Sequence, residues 1–277
     1  LSEIIYIPVS TPFSLAAAAT DSDGDTLTYC WEQMDPQASQ QPPLPTSTAG
    51  PNFRSLTPSE DSVRYFPSLV SLVSNGPFTW EVLPSVERQM SFRVSVRDNA
   101  PGAGCTQYDD IEVQTVGNAG PFELIYPSDF GIVWQAFSQE TVLWDVANTT
   151  ASPINAETVN IWLSTNNGFD FPILLAENVP NTGSYAIQVP NIPTTIAKVM
   201  VQNSQGTFFD VSDNNFDIVG IENGFYFQTE FQGAEICQSE TFSFELDLIE
   251  VGSFPETIEL SVADQPLDAD ISLSLNQ

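Results

Sequence analysis

From Gln89 to Asp98 every second residue is apolar: Met90, Phe92, Val94 and Val96 fall on one side, Ser91, Arg93, Ser95 and Arg97 on the other. A period of two sends alternate side chains to opposite faces of an extended strand, and no helix sorts them this way. The same period groups Val159 with Ile161 and Leu163, Tyr185 with Ile187 and Val189, and Phe242 with Phe244, Leu246 and Leu248. Pro, Gly, Asn or Asp bounds each run, and the 21 Pro are spread along the chain as punctuation. No window shows capped apolar spacing at i, i+3, i+4 and i+7. Even Ala16–Ala19, a helix former in isolation, sits in FSLAAAATDSDGD and reads as a strand running into a loop. The chain is therefore expected to be all-β, built of tandem immunoglobulin-like antiparallel β-sandwiches.

At 277 residues the chain exceeds one small sandwich and suits two to three domains of roughly 100 residues. Turn clusters place the joints. Residues 1–117 form an Ig/cadherin-like unit ending on Ile111, Val113 and Thr115, with Gln37–Thr48 as a Pro- and Gln-rich surface loop. Gly117-Asn118-Ala119-Gly120-Pro121 is a short linker, residues 118–220 a second sandwich, and residues 221–277 the start of a third. The chain reads as an internal piece of a longer protein, with no basic-then-apolar leader.

Charge narrows the partners. Six Lys and Arg face 36 Asp and Glu, a net charge of −30, with the acids scattered in ones and twos. Such a field repels phosphates and anionic lipid heads and suits divalent cations or a salty medium. No stretch approaches the ~20 apolar residues of a membrane span. Nucleic acid and membrane insertion are thus excluded as partners. Histidine is absent, which removes His-based triads and His-ligated zinc. The three Cys show no paired C-x-x-C spacing.

Asp21-Ser22-Asp23-Gly24-Asp25 is the sharpest local signal. Three carboxylates at alternate positions can converge on one calcium ion, which takes six to eight oxygens. Thr26 stands where an EF-hand needs Gly, so the choice lies between another calcium loop and a plain polar turn. Asp98 with Asn99, and Asp109 with Asp110, are the further candidate oxygen donors. Cys30 and Cys105 fall in one unit, either as a disulfide contributing roughly 4 kcal/mol in the chain-entropy model or as two buried thiols. Cys237 has no mate in its own segment. Trp80 and Trp134, near Pro, Gly and Phe, are candidate sugar platforms; Trp31, Trp144 and Trp162 read as core, with an outward position open to Trp162. Asp210 and Asp213 with Asn214 and Asn215 form either a second cation loop or an Asx-rich turn.

Taken together, IPVSTPFSLAAAATDSDGDTLTYCWEQMD, FRSLTPS, RYFP, WEVLPSV, FRVSVRDN, PGAGCTQYDDIEV and NAGPF resemble a particular setting. It is the region after the catalytic domain in secreted reprolysin-like zinc metalloproteases of Bacteroidetes. WQAFSQETVLWDV, VNIWLSTNNGFDF, NTGSYAIQVP and FFDVSDNNFDI are similar to the Ig-like domain of Kre9/Knh1-type surface proteins. EICQSETFSFELDL and ETIELSV resemble the Ig-like repeats that follow in the same proteases. Asp61-Ser62-Val63 and Asp25-Thr26-Leu27 resemble the Bacteroidetes O-glycosylation motif, which would modify Ser62 and Thr26.

The resemblance implies a type IX-secreted, extracellular multidomain protein. The family's zinc motif needs His, so no catalytic residue carries over, and the segment is expected not to be an enzyme. Two functions compete: an accessory segment of a metalloprotease, or a stalk of a surface adhesin or fibre, with a carbohydrate-binding module as a third reading. The partners implied are neighbouring domains, other surface proteins or glycans.

Overall fold

The computed structural model describes residues 4–38, 40–74, 79–102, 104–228, 242–243, 245–253, 257–261 and 272. The chain divides into two compact units, Leu1–Gly220 and Ile221–Gln277.

The first unit holds two sandwiches. In the first, β1 (Ile4–Pro8), β6 (Thr106–Val116), β5 (Gln89–Arg97) and β3 (Thr28–Gln33) form one sheet in the order β1-β6-β5-β3. Facing it is a two-stranded sheet of β2 (Phe13–Ala16) and β4 (Val63–Phe66). In the second, β7 (Glu123–Tyr126), β9 (Gln139–Asp145) and β12 (Ser184–Gln188) form one sheet. The other runs β11 (Ile173–Pro180), β10 (Thr158–Ser164), β13 (Thr194–Asn203), β15 (Phe216–Val219), β8 (Val133–Gln135), with β14 (Phe209–Val211) beside β13. Both repeat the immunoglobulin arrangement, in which the third strand and the last two share one sheet and the second and fifth strands the other. Two pairs depart from antiparallel: β1 with β6, and β8 with β15. Each lays an early strand of a sandwich along its last one.

The alternation explains the core. Met90, Phe92 and Val94 are buried on the inner face of β5, and Phe92 meets Phe13, Phe53 and Phe66; the Phe13 and Phe66 rings stack at 4.8 Å. In the second sandwich Val159, Ile161 and Leu163 of β10 are fully buried, as are Val199 and Val201 of β13. Among the described residues one short helix, α1 (Leu69–Val73), punctuates the all-β fold. Its N-cap Ser68 accepts the Ser71 amide at 3.3 Å, and five residues are too few for a helical period to show in sequence.

The segment expected as a linker is pinned on both sides. Val9 N–H donates to the Ala119 carbonyl (2.9 Å), Gly120 N–H to Ala147 (3.0 Å), and Phe122 N–H to the Thr11 hydroxyl (2.9 Å). Gly120 has φ +105°, and a Cβ there would lie 2.2 Å from the Val9 carbonyl oxygen, so only glycine fits. Further along the seam Phe13 bridges Phe208, Ser14 N–H donates to Thr207 and Phe209 N–H to Pro12. The Phe122 and Phe208 rings meet edge to face at 5.3 Å, and the buried residues of both sandwiches form one cluster. A second patch packs Met200, Phe209 and Val211 against Tyr65, Leu69 and Leu72.

In the second unit β16 (Gly224–Gln228) pairs antiparallel with β17 (Asp247–Val251), from Gly224↔Val251 to Gln228↔Asp247. Leu248 of the Phe242–Leu248 run lies in β17. Phe244 and Cys237 lie outside the described residues.

Candidate functional site

The basic residues are almost all spent on structure. Arg64 sits under the first sandwich, donating to the Trp31 and Arg54 carbonyls and pairing with Glu81 at 3.1 Å. Arg88 holds the Pro-rich loop, donating to Ser47 (3.1 Å), Gly50 (2.8 Å) and Asn52 (3.0 Å). Lys198 Nζ donates to the Ser212 carbonyl at 2.6 Å and that of Asp213 at 3.0 Å. All three are buried, and burial lowers the pKa of each. Arg93 grips Asp110 with two bonds of 2.6 and 2.8 Å on the outer face of β5 and β6. Arg54 and Arg97 are the remaining exposed cations, so the exterior is close to purely anionic.

Four of the six predicted carboxylate donors line one groove at the open end of the first sandwich: Asp21, Asp98, Asp109 and Asp110. Each is already engaged. Asp21 accepts the Asp23 and Asp25 amides at 2.9 and 3.1 Å, and these bonds hold its carboxyl below the usual range. Asp98 accepts the amides of Ala100 and Cys105, and Asp109 that of Asp110. Asp23 and Asp25 lie in the Asp21 turn rather than along the groove. Among the described residues no three His, Cys, Asp or Glu side chains stand together as a group that could hold a metal ion. Its two bonds from the Asp23 and Asp25 amides make Asp21 the nucleus of a turn over DSDGD. Asn99, expected as an oxygen donor, instead donates through its amide to the Thr26 carbonyl at 2.9 Å.

The expected Cys30–Cys105 disulfide is corrected: both thiols are free. Cys30 pairs across β3 and β5 with Ser95, and Ser95 with Tyr108, so all of β5 stands between the two cysteines. Two strand spacings of about 4.8 Å and a three-residue offset separate them by roughly 14 Å, beyond the ~4.4–6.8 Å Cα separation a disulfide spans. Burial pushes the Cys30 thiol up, and its sulfur lies 3.6 Å from the Leu56 carbonyl. That is an inert, protonated thiol rather than a nucleophile.

Trp134 is also corrected as a sugar platform: it is fully buried, with its ring 4.4 Å from Phe216. Trp80 is exposed, Trp31 and Trp144 are core, and Trp162 is half-buried against the Met200 patch. Ser62 is half-buried and its carbonyl takes the Ala17 amide and the Trp31 indole N–H. Thr26 is exposed.

Asp210, read from the sequence as part of a cation loop or an Asx-rich turn, is a strand residue instead. It lies in β14 opposite Val201 and accepts the Leu124 amide at 2.7 Å. Burial pushes its carboxyl up to about 7, with Asp213 and Glu123 raising it further and the Leu124 and Val211 amides opposing. The Phe209-Asp210-Val211 alternation was the available signal, an acid on the strand face opposite two buried apolar residues.

Among the described residues no helix is long and apolar enough to cross a membrane. No family model matches the chain, and no curated protein matches it. Among solved structures it is similar to a chimeric titin Z1Z2–Z1Z2 tandem functionalised with a fibronectin-derived peptide, at 10% identity and a TM-score of 0.22. That match covers 79% of this chain and 95% of the other. It is also similar to the N-terminal eight Ig domains of the Down Syndrome Cell Adhesion Molecule, at 9% identity and a TM-score of 0.22. Here 83% of this chain and 27% of the other are covered. At that TM-score neither adds to what the strand order shows.

Proposed function

We propose that this chain is a non-catalytic, extracellular accessory segment whose two joined sandwiches act as one stiff spacer between other domains of a longer surface protein. The seam carries this reading. Backbone bonds, ring contacts and a continuous core cross it, where a flexible tether would leave a polar linker with few contacts. The chemistry agrees: the chain has no His, burial pushes the Cys30 thiol up, and among the described residues no nucleophile and base stand assembled. Purified chain is expected to hydrolyse neither casein nor common glycosides above background; turnover abolished by changing one Asp or Glu would overturn the reading.

The resemblance to the region after a reprolysin-like catalytic domain favours a protease accessory role over an adhesin stalk. Reading the parent gene upstream of Leu1 decides between them: an encoded HExxHxxGxxH motif supports the accessory role, and its absence leaves the stalk.

A further inference from the structure

A hollow distinct from the groove of Asp21 and Asp98 opens where the two sandwiches meet. It measures about 330 Å³, at the low end of the range for small-molecule sites. The first sandwich contributes Tyr29 and Trp31 of β3, Tyr65 of β4 and the start of α1. The second contributes the loop between β10 and β11 through Phe169, Asp170 and Phe171. Alternation along β4 explains the arrangement: Arg64 and Phe66 turn into the core, so Val63 and Tyr65 face outward. The Tyr65 ring is fixed there edge to face on Phe209 of the second sandwich, at 5.3 Å.

The β10–β11 loop is a built turn. Asn166 donates to Asp170 Oδ1 at 2.9 Å and accepts the Asp170 amide at 3.3 Å, while Ser164 Oγ accepts the Gly168 amide at 2.9 Å. Gly168 has φ +80°, and a Cβ there would lie 2.6 Å from Val73 of α1, so the turn presses on the helix. It holds the Phe169 ring on the wall of the hollow and 54% exposed.

Three kinds of group line this space together. The aromatic rings offer flat apolar faces. Asp61 and Asp170 offer acceptors: the Val63 amide and Asn166 take one Oδ1 each, and no hydrogen bond from a described residue reaches either Oδ2. Arg64 offers a donor. Its Nη atoms are spent on the Trp31 and Arg54 carbonyls and on Glu81, but Nε, on a side chain only 8% exposed, has no partner. A buried donor left open beside a pocket is a group that a ligand acceptor would satisfy.

That mixture selects a ligand by elimination. An anion would meet two carboxylates and a net charge of −30. A cation would be drawn by the field but would set its own donors against the Arg64 donor. A hydrocarbon would desolvate the carboxylates with nothing in return. A neutral ring with an apolar face and hydroxyls at its edge answers all three. We propose that this hollow binds a neutral hexose at the end of a glycan chain, its C–H face on the Phe169 ring and its hydroxyls shared among Asp61, Asp170 and Arg64. Trp80 and Trp134, the platforms suggested by sequence, do not line it. The inference goes beyond the spacer reading and does not depend on it.

The test titrates the whole chain with the methyl glycosides of glucose, galactose and mannose, each a mimic of a chain end. At least one should bind saturably, shifting the backbone NMR signals of Asp61, Asp170 and Phe171. Iodoacetamide should then label Cys30, which lines the hollow, at least threefold more slowly, with Cys105 unchanged as the internal control. Phe169→Ala and Asp170→Ala should each lower the affinity at least tenfold. Phe130→Ala, which removes a ring 88% exposed between β7 and β8, should alter it less than twofold. Unchanged melting temperatures confirm folding, and Phe169→Ala, at an exposed ring, carries the test if Asp170→Ala loosens the turn. The uronate of whichever hexose binds should bind at least tenfold more weakly. Binding of glucosamine where no neutral glycoside binds would leave only attraction by net charge and overturn the proposal. So would saturation by none of the three, or a loss in Trp80→Ala without one in Phe169→Ala.

Discussion

Replacing Asp210 by asparagine should stabilise this protein at neutral and alkaline pH and do almost nothing in acid. Asp210 titrates near 7 in the fold, against an unfolded value near 3.8. A carboxyl raised in this way contributes stability that is full below about 3.8 and is lost as pH rises through about 7. Above that the fold must hold a desolvated carboxylate beside Glu123 and Asp213, with Lys198 already committed to the Ser212 and Asp213 carbonyls. The rise from 3.8 to about 7 corresponds to about 4 kcal/mol, a ceiling that relaxation around the charge will lower. Asparagine keeps an oxygen for the Leu124 amide and never ionises. Urea unfolding of wild type and Asp210→Asn between pH 4 and 8.5 reads the difference directly. Comparison at each pH is essential, because relief of the −30 repulsion also stabilises wild type in acid. The gap should open from near zero at pH 4 to several kcal/mol at pH 8. A gap independent of pH would show that Asp210 is not held neutral and would refute the reasoning.

Three further outcomes follow from the geometry. Gly120→Ala should destabilise by about 2 kcal/mol or more in thermal melts, since it adds a Cβ against the Val9 carbonyl at a positive φ; a neutral result would mean the seam yields there. Peptide mapping without reduction should find Cys30 and Cys105 unlinked, with exposed Cys105 alkylated faster than Cys30 in the native protein; a linked fragment would overturn the register. Calcium and sodium at equal ionic strength should raise the melting temperature equally in wild type and Asp23→Asn, while Asp21→Ala lowers it in either salt, as loss of a comparable side-chain cap does. A calcium-specific rise that Asp23→Asn abolishes would show that the turn rearranges to hold the ion.

What the sequence disclosed was local. Alternation at Met90–Val96 and Val159–Leu163 marks strands because the pleat itself has that period, and the core lies where those residues point. The same reading singled out Asp21, Asp23, Asp25, Asp98, Asp109 and Asp110 as oxygen donors, and of these Asp21, Asp98, Asp109 and Asp110 line one groove. Their chemistry was not legible, since whether a carboxylate faces an ion or its own backbone depends on turn geometry. Cys30 and Cys105 looked pairable because strand order is invisible in a linear chain, and β5 intervenes only once the sheet forms. The seam was equally hidden: Ser14 and Phe208 lie far apart in sequence, and Phe122 and Phe208 look like ordinary core residues of one sandwich. Trp134, with Pro and Gly nearby, suggested an exposed ring until β8 and β15 enclosed it.

The joined-sandwich account is tested most directly by native-state hydrogen exchange at the amides of Ser14, Phe122 and Phe209. Each donates across the seam, to Thr207, Thr11 and Pro12 respectively. If the two sandwiches form one body, these amides open only with the cores on either side and exchange as slowly as those of Val113 and Val201. Exchange at the rate of exposed loops, while Val113 and Val201 stay protected, would show a hinge where the account places a rigid joint.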